Sequence, residues 1–498
     1  MAAATVLALV LAASTPAAPE SDSKIEYAME ACPGLASPDA VIDARSFTSA
    51  AELVTVIANR REGRVAVIGG DFSDEDMRPL ANPGQVACYI ESDLSRTDWR
   101  GGEATGTRFI AAKLTGAQMA QSGLDATVFE GVDLSGADLS EASLTGALWQ
   151  GANWTSNLEG TVFRDAVMEG FRFRCGITMD ESCGGSGGAD FGGADLTRAD
   201  LASFPVWGYD SFAGARFADT RIGPRAVRHL GEGVIDGDVV LASGWFEEDG
   251  WPDNTVRLTR EEFLRLRDAA LTVEDDRPSF ECAKAGNTAE RVICGEYESQ
   301  LRALDRELSE AFTSLRESGK VTLESQRAWL RSRNACTDRD CIEQAYETRL
   351  EQLYGALGTR FVLAPDASVT FEEDLLPLPA DFRATELYRR IVPTLRAASY
   401  QSITLTGRED GTLAGEGEAL GGNAHTCTFG VDGAVYDRAT GWYAGVADDG
   451  TKVPLFRVRN GRITLRYSGN MGDTPDEAQN FISCGARAAF TDLRNLEE

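Results

Sequence analysis

A chain of 498 residues, 43% hydrophobic and 25% charged, is too long for one compact domain and too rich in apolar side chains for bulk disorder. Its formal net charge of -30 argues against a protein that grips nucleic acid through phosphates, because that mode needs clustered lysine and arginine. Such acidity suits a soluble protein, or one steered toward a basic partner.

The N-terminus reads "AAATVLALVLAA" followed by "STPAAP", an apolar run of signal-peptide length ahead of small residues and prolines. It is too short to span a bilayer. No lysine or arginine precedes it, and the nearest cysteine, Cys32, is too distant for lipid attachment. The reading is a signal peptide over 1–18 and a periplasmic or secreted chain, exported and not anchored. The cysteines agree with export. They fall as Cys32 and Cys88, then Cys175 and Cys183, then Cys282, Cys294, Cys336 and Cys341, then Cys427 and Cys484. Even counts per segment are what disulfides within modules require. Metal ligation is the weaker reading, since there is no C-x-x-C and only His229 and His425 offer imidazole.

Residues 19–91 read as an N-terminal cap, with a helical stretch "TSAAELVTVIANRREG" and an apolar strand "RVAVIGGDF". From 92 to 222 the chain repeats in fives. Leu94, Trp99, Ala104, Phe109, Leu114, Met119, Leu124, Phe129, Leu134, Leu139, Leu144, Trp149 and Trp154 hold phase, each with a small residue two places before it except Val132. The pattern resumes at Phe163, Met168 and Phe173, then at Phe191, Leu196, Leu201 and Val206, and ends with Phe212, Phe217 and Ile222. Neither a helix nor a flat strand repeats in fives. One large and one small inward residue per five fill a narrow shaft if the chain turns a corner at each repeat, and self-similarity of this length means a solenoid.

"GADLSEASLTGALWQGAN" resembles the pentapeptide-repeat family. The resemblance implies a right-handed quadrilateral β-helix with four repeats per coil, so twenty-three centres would make about six coils. Bare ends would expose unpaired backbone, and residues 223–277 read as the C-terminal cap and linker. There "VIDGDVVLASGWF" precedes a helix opened by Thr259 and Glu262, a capping box. Cytosolic members of the family imitate DNA and bind gyrase. Here residues 92–222 hold 18 acidic against 10 basic residues, hardly more acidic than the rest, so a rigid scaffold is the better reading.

Residues 278–357 turn helical. Ile293, Tyr297, Leu301, Leu304, Leu308, Phe312 and Leu315 form one stripe on a helix expected from Ala289 to Ser318. "SGK" breaks it, "LESQRAWLRSRNAC" forms a second helix, and a third carries Ile342, Tyr346, Leu350, Leu353 and Leu357. Short connections make the first two antiparallel. Cys336 should then return near Cys282 and Cys294, and at least one disulfide is expected between these ends, with connectivity otherwise open.

The stretches "PSFECAKAGNTAERVIC", "QRAWLRSRNAC" and "CIEQAYETRL" resemble the N-terminal domain of LprI-type lysozyme inhibitors. Asp305, Gln326, Arg327, Trp329, Arg333 and Tyr346 carry the likeness. It implies an exported helical module and, as partner, lysozyme or another peptidoglycan-cleaving enzyme. Each residue also has a structural reading: Trp329 as a core anchor, the charged ones as a polar network between facing helices. Lysozyme is strongly cationic, so an acidic inhibitor is electrostatically sensible.

Residues 364–498 read as a small β-rich C-terminal domain. In "LFRVRNGRITLRYS", Asn460-Gly461 is a strong hairpin signal. It puts Phe456, Val458, Ile463, Leu465 and Tyr467 on one face, and Arg457, Arg459, Arg462 and Arg466 on the other. Like charges opposite one another need carboxylates or an anion, so that face reads either as internal salt bridges or as an anion or partner site. Cys427 and Cys484 flank the hairpin and are expected to join strands of this domain.

No enzyme, cofactor or metal is expected. Gly184-Gly185-Ser186-Gly187-Gly188 matches G-x-S-x-G but follows no strand, so it reads as linker. Three functions are carried forward: an exported lysozyme-inhibitor-like binding protein, a structural or adaptor protein of the envelope, and a DNA mimic that binds gyrase.

Overall fold

The computed structural model describes residues 20–497 apart from 61–62, 82–84, 152–156, 176–186, 205–209, 245–253, 274–276, 296–297, 359, 421–424, 448, 468, 470–473, 486–487 and 491–492. The expected signal peptide, Trp154, Cys183, Ser186, Val206 and Tyr297 therefore lie outside the described residues. Two compact units emerge: Met1–Phe171 with Gly184–Phe191, and Arg172–Cys183 with Gly192–Glu498.

In the first unit, helix α1 (Glu20–Ala31) precedes strand β1 (Val41–Asp43), helix α2 (Ala50–Ala58), and strands β2 (Val65–Ile68), β3 (Val86–Ile90), β4 (Arg108–Ile110), β5 (Val128–Glu130) and β6 (Leu148–Gln150). Each strand pairs in parallel with the next. Phe109 lies opposite Phe129 and Phe129 opposite Trp149, a register of twenty residues, or four repeats, per coil. Three further ladders run through Asp93–Lys113–Asp133, Asp98–Gln118–Asp138 and Glu103–Gly123–Ser143. The unit is a β-helix.

The fives explain the interior. Every centre from Leu94 to Trp149 is buried. Stacking in register puts like on like: Phe109 lies parallel to Tyr89 at 5.5 Å and to Phe129 at 5.4 Å. The small inward residues that carry hydroxyls satisfy them on the backbone, Thr97 Oγ1 donating to Leu94 O at 2.6 Å and Thr161 Oγ1 to Leu134 O at 2.8 Å. A buried hydroxyl is tolerated only on such terms.

The corners explain the glycines. Residues 91, 96, 101, 106, 111, 116, 121, 126, 131, 136, 141 and 146 all have positive φ, so the chain enters the left-handed region once per repeat. Gly136 sits there with φ +64, and an added Cβ would meet no atom within 4 Å. Gly136→Val is therefore expected to destabilise the coil by about 1–2 kcal/mol through backbone strain alone, with Gly136→Asn milder. Chemical denaturation of the three proteins checks this; equal midpoints would show that the corner tolerates any residue.

The helix and the apolar strand expected before residue 92 appear as α2 and β2. The stack also starts earlier than residue 92, because Asp71 and Asp76 bridge to Asp93 and Asp98 over buried Phe72 and Met77. Helix α1 was not legible in the sequence. It lays Ala28 and Cys32 on Ala66, Ile68, Cys88, Ile90 and Ile110, outward-facing apolar residues that would otherwise be wet, and the Cys32–Cys88 disulfide ties it to β3.

The second unit opens with the short strands β7 (Arg172–Arg174), β8 (Asp200–Leu201), β9 (Arg216–Phe217), β10 (Thr220–Ile222), β11 (Val234–Ile235) and β12 (Val239–Ala242), paired in parallel as β7–β8–β10–β12 and β9–β11. Strand β13 (Thr255–Leu258) runs antiparallel to β12 and ends the parallel stack. Helix α3 (Arg260–Thr272) opens on the expected capping box: Glu262 N donates to Thr259 Oγ1 at 3.3 Å, and Thr259 N to Glu262 Oε2 at 3.0 Å.

Helices α4 (Thr288–Ile293), α5 (Ser299–Glu317), α6 (Leu323–Arg333) and α7 (Arg339–Leu357) follow. Two expectations are corrected. The helix expected from Ala289 to Ser318 is broken into α4 and α5. The disulfides join Cys282 to Cys294 and Cys336 to Cys341, so none bridges the ends of the first two helices. Each closes a local loop: Cys282 and Cys294 are 12 residues apart across α4, and Asp338, capping α7 through Cys341 N at 3.0 Å, folds Cys341 onto Cys336.

The C-terminal domain holds β14 (Ser368–Glu373), helices α8 (Ala380–Arg383) and α9 (Glu386–Ala397), then β15 (Gln401–Gly407), β16 (Leu413–Leu420), β17 (Thr426–Tyr436), β18 (Tyr443–Val446), β19 (Lys452–Arg459), β20 (Arg462–Leu465), β21 (Ile482–Cys484) and β22 (Leu493–Arg494). The antiparallel pairings β14–β15–β16–β17–β18–β19–β20–β22 return to β14, closing a barrel-like ring that leaves those strands no open edge. Phe371, Ile403, Leu405, Phe429, Tyr443, Phe456 and Ile463 fill it. Cys427 and Cys484 are disulfide-bonded across β17 and β21.

Candidate functional site

A buried ion pair, Arg333 with Asp305, sits inside the helical module. Arg333, at the end of α6, is 2% exposed. Its Nη1 donates to Tyr346 Oη at 2.8 Å, and Tyr346 Oη donates to Asp305 Oδ1 at 2.6 Å. Asp305 also accepts from Ser279 N at 2.6 Å, and Arg333 reaches Glu290 on α4 at 3.3 Å and the Asn334 carbonyl oxygen Oδ1 at 2.9 Å. The guanidinium faces the rings of Trp329, Tyr346 and Phe280 at 5.7, 5.8 and 5.9 Å. Trp329 packs edge-on to Tyr346 and donates Nε1 to Ala345 O. Burial, then the Asp305 charge, drives the Tyr346 hydroxyl far above its usual pKa, so it stays a proton donor.

Four of the six resemblance residues thus meet in one cluster. Gln326 is bonded elsewhere, accepting from Arg349 Nη2 on α7 at 3.2 Å. Arg327 is exposed, with no hydrogen bond or ion pair to any described residue. Glu290, which joins the Arg333 network, and Arg349, which holds Ser325 and Gln326, were not singled out from the sequence. Their helical spacing offered a signal, Arg349 lying three residues after Tyr346 on α7.

The arginine face of the hairpin lies on this module. Arg457, 6% exposed, is sandwiched between Tyr354 of α7 at 4.3 Å and Trp442 at 4.0 Å, and its Nη2 lies 3.3 Å from Glu307 of α5. Arg459 stands 5.2 Å from the Tyr354 ring, and Arg466 pairs with Glu347 at 3.1 Å. Trp442 Nε1 donates to Glu351 at 3.3 Å. Arg462 lies opposite both Arg459 and Arg494, and Asp374, held between Arg494 and buried Arg383, supplies negative charge there. Backbones meet closely, since a Cβ on Gly441 would fall 2.6 Å from Tyr354 Cβ.

Residues 122–153 and 129–174 match the family model described as pentapeptide repeats, in 8 copies. The coils carry pentapeptide repeats. A stretch of 81 residues is 37% identical to lipoprotein LprI of Mycobacterium bovis, and equally to that of Mycobacterium tuberculosis, over 15% of this chain and 40% of each relative. The chain therefore spans less than half the length of these relatives. Among solved structures, QnrB1, a plasmid-mediated fluoroquinolone resistance protein, is 17% identical over 35% of this chain and 92% of its own, with a TM-score of 0.16. A pentapeptide repeat protein from the Arabidopsis thaliana thylakoid lumen is 24% identical over 26% and 63%, with a TM-score of 0.11.

Among the described residues no helix is long and apolar enough to cross a membrane, and no group of His, Cys, Asp or Glu is placed to hold a metal ion.

Proposed function

We propose that the chain is an exported, non-enzymatic binding protein of the envelope, in which a right-handed, four-sided β-helix carries a helical module that inhibits a lysozyme or related wall-cleaving enzyme. The observation that carries this reading is the 81-residue likeness to LprI at 37% identity, together with the packing of its signature residues around Arg333. Four disulfides among the described residues support an oxidising compartment, where such bonds persist. A net charge of -30 favours encounter with a cationic enzyme.

Titration of the oxidised protein into chicken-type, goose-type and invertebrate-type lysozymes, with peptidoglycan lysis as readout, is expected to show saturable inhibition of at least one. Lysis unchanged for all three would leave the adaptor reading, which the packing of hairpin arginines on the helical module favours. A DNA mimic would instead suppress supercoiling by gyrase, and no such effect is expected.

A further inference from the structure

Five of the six residues that carry the module's likeness to LprI-type inhibitors serve its interior or its helix packing. Arg327 does not. It lies on the outer side of α6, exposed, with no ion pair or hydrogen bond to any described residue, and Arg331 stands one turn further on in the same condition. Residues four apart share a helix face with Cβ atoms about 5–6 Å apart, so two free guanidinium groups point from one surface. Leu323, one turn before, leaves 45% of its area in water. The other flank is closed to a partner, because the hairpin's Arg457, Arg466 and Trp442 already occupy the α5 and α7 carboxylates.

The inhibitor reading supplies the partner's chemistry, and this inference rests on it. Enzymes that cleave glycosidic bonds generally do so with two carboxyl groups about 5–10 Å apart, set in a cleft. Guanidinium groups are the best-shaped counterparts for carboxylates. We propose that Arg327 and Arg331 are the module's contact with a wall-cleaving glycosidase, entering its cleft and pairing with the two catalytic carboxylates. The acidic remainder of the chain draws a cationic enzyme in, and this local pair of cations meets the carboxylates of its cleft.

The test measures inhibition constants for the intact oxidised protein against whichever lysozyme it inhibits most strongly. Arg327→Ala and Arg331→Ala are each expected to weaken inhibition about 30-fold or more, as loss of one member of a desolvated charge pair does. Arg327→Lys should fall between, keeping the charge but not the fork. Unchanged protein should also bind less tightly to a lysozyme whose catalytic glutamate is changed to glutamine, a measurement that needs no variant of this chain to fold. Full inhibition by the double alanine variant, or undiminished binding to the glutamine lysozyme, overturns the contact and leaves the inhibitor reading standing. Absence of inhibition by the unchanged protein overturns both.

Discussion

Arg333→Ala is expected to destabilise the helical module by about 3–5 kcal/mol, the cost of removing one member of a buried ion pair. The residue is 2% exposed and Asp305 is 4% exposed, so truncation strands a carboxylate in the interior. It also frees Tyr346 Oη of one partner, and it removes the only cation facing Trp329, Tyr346 and Phe280 in that cluster. Opening α6 to water is no remedy, because Cys336 and Cys341 fix its end beside α7. Joint replacement, Arg333→Met with Asp305→Leu, should recover part of the loss, since an apolar pair of similar volume asks for no desolvation of charge. Guanidinium unfolding monitored by near-ultraviolet dichroism of Trp329 and Tyr346 separates the cases. A loss below about 1 kcal/mol for the single variant would mean that water reaches Asp305 and that the network is not a core.

The reach of the sequence followed the range of the interactions. The solenoid was legible because its rule is local: a large residue, a small one and a positive φ recur within every five residues, and stacking repeats the decision coil after coil. The helical stripe was legible for the same reason, with Leu301, Leu308 and Leu315 all buried. Its continuity was misjudged at Gly295, where the Cys282–Cys294 disulfide and the Arg302 guanidinium, bonded to Gly295 O, favour a turn over the helix that side-chain period alone suggests. Barrel closure could not be read, because β14 finds β22 across a sequence span that no periodicity encodes. Helix α1 escaped for a related reason: its apolar positions make sense only once Ile68, Ile90 and Ile110 are seen to face outward. The arginine hairpin shows the limit for a site. Its alternation fixed which side chains share a face, but whether that face meets solvent, an anion or another module depended on Tyr354 and Trp442, the first of them about a hundred positions away.

Arg457→Ala should loosen the helical module from the barrel by about 2–4 kcal/mol, combining two desolvated cation–π contacts with the loss of a buried ion pair. The sandwich decides the number. The guanidinium carbon lies over the Tyr354 ring at 4.3 Å and the Trp442 ring at 4.0 Å while an N–H still reaches Glu307. An ammonium can satisfy one of those demands at a time, so Arg457→Lys should restore little despite keeping the charge. Tyr354 and Trp442 are 7% and 3% exposed, and either variant should let water reach both rings. The measurements are Trp442 fluorescence through a denaturant titration and the rate of proteolysis after Leu357, where the module ends and the barrel begins. Equal behaviour of lysine and arginine there would reduce the clamp to simple charge pairing, and the orientation of the helical module would then rest on the Gly355 and Gly441 backbone contacts with no contribution from the stacked plane.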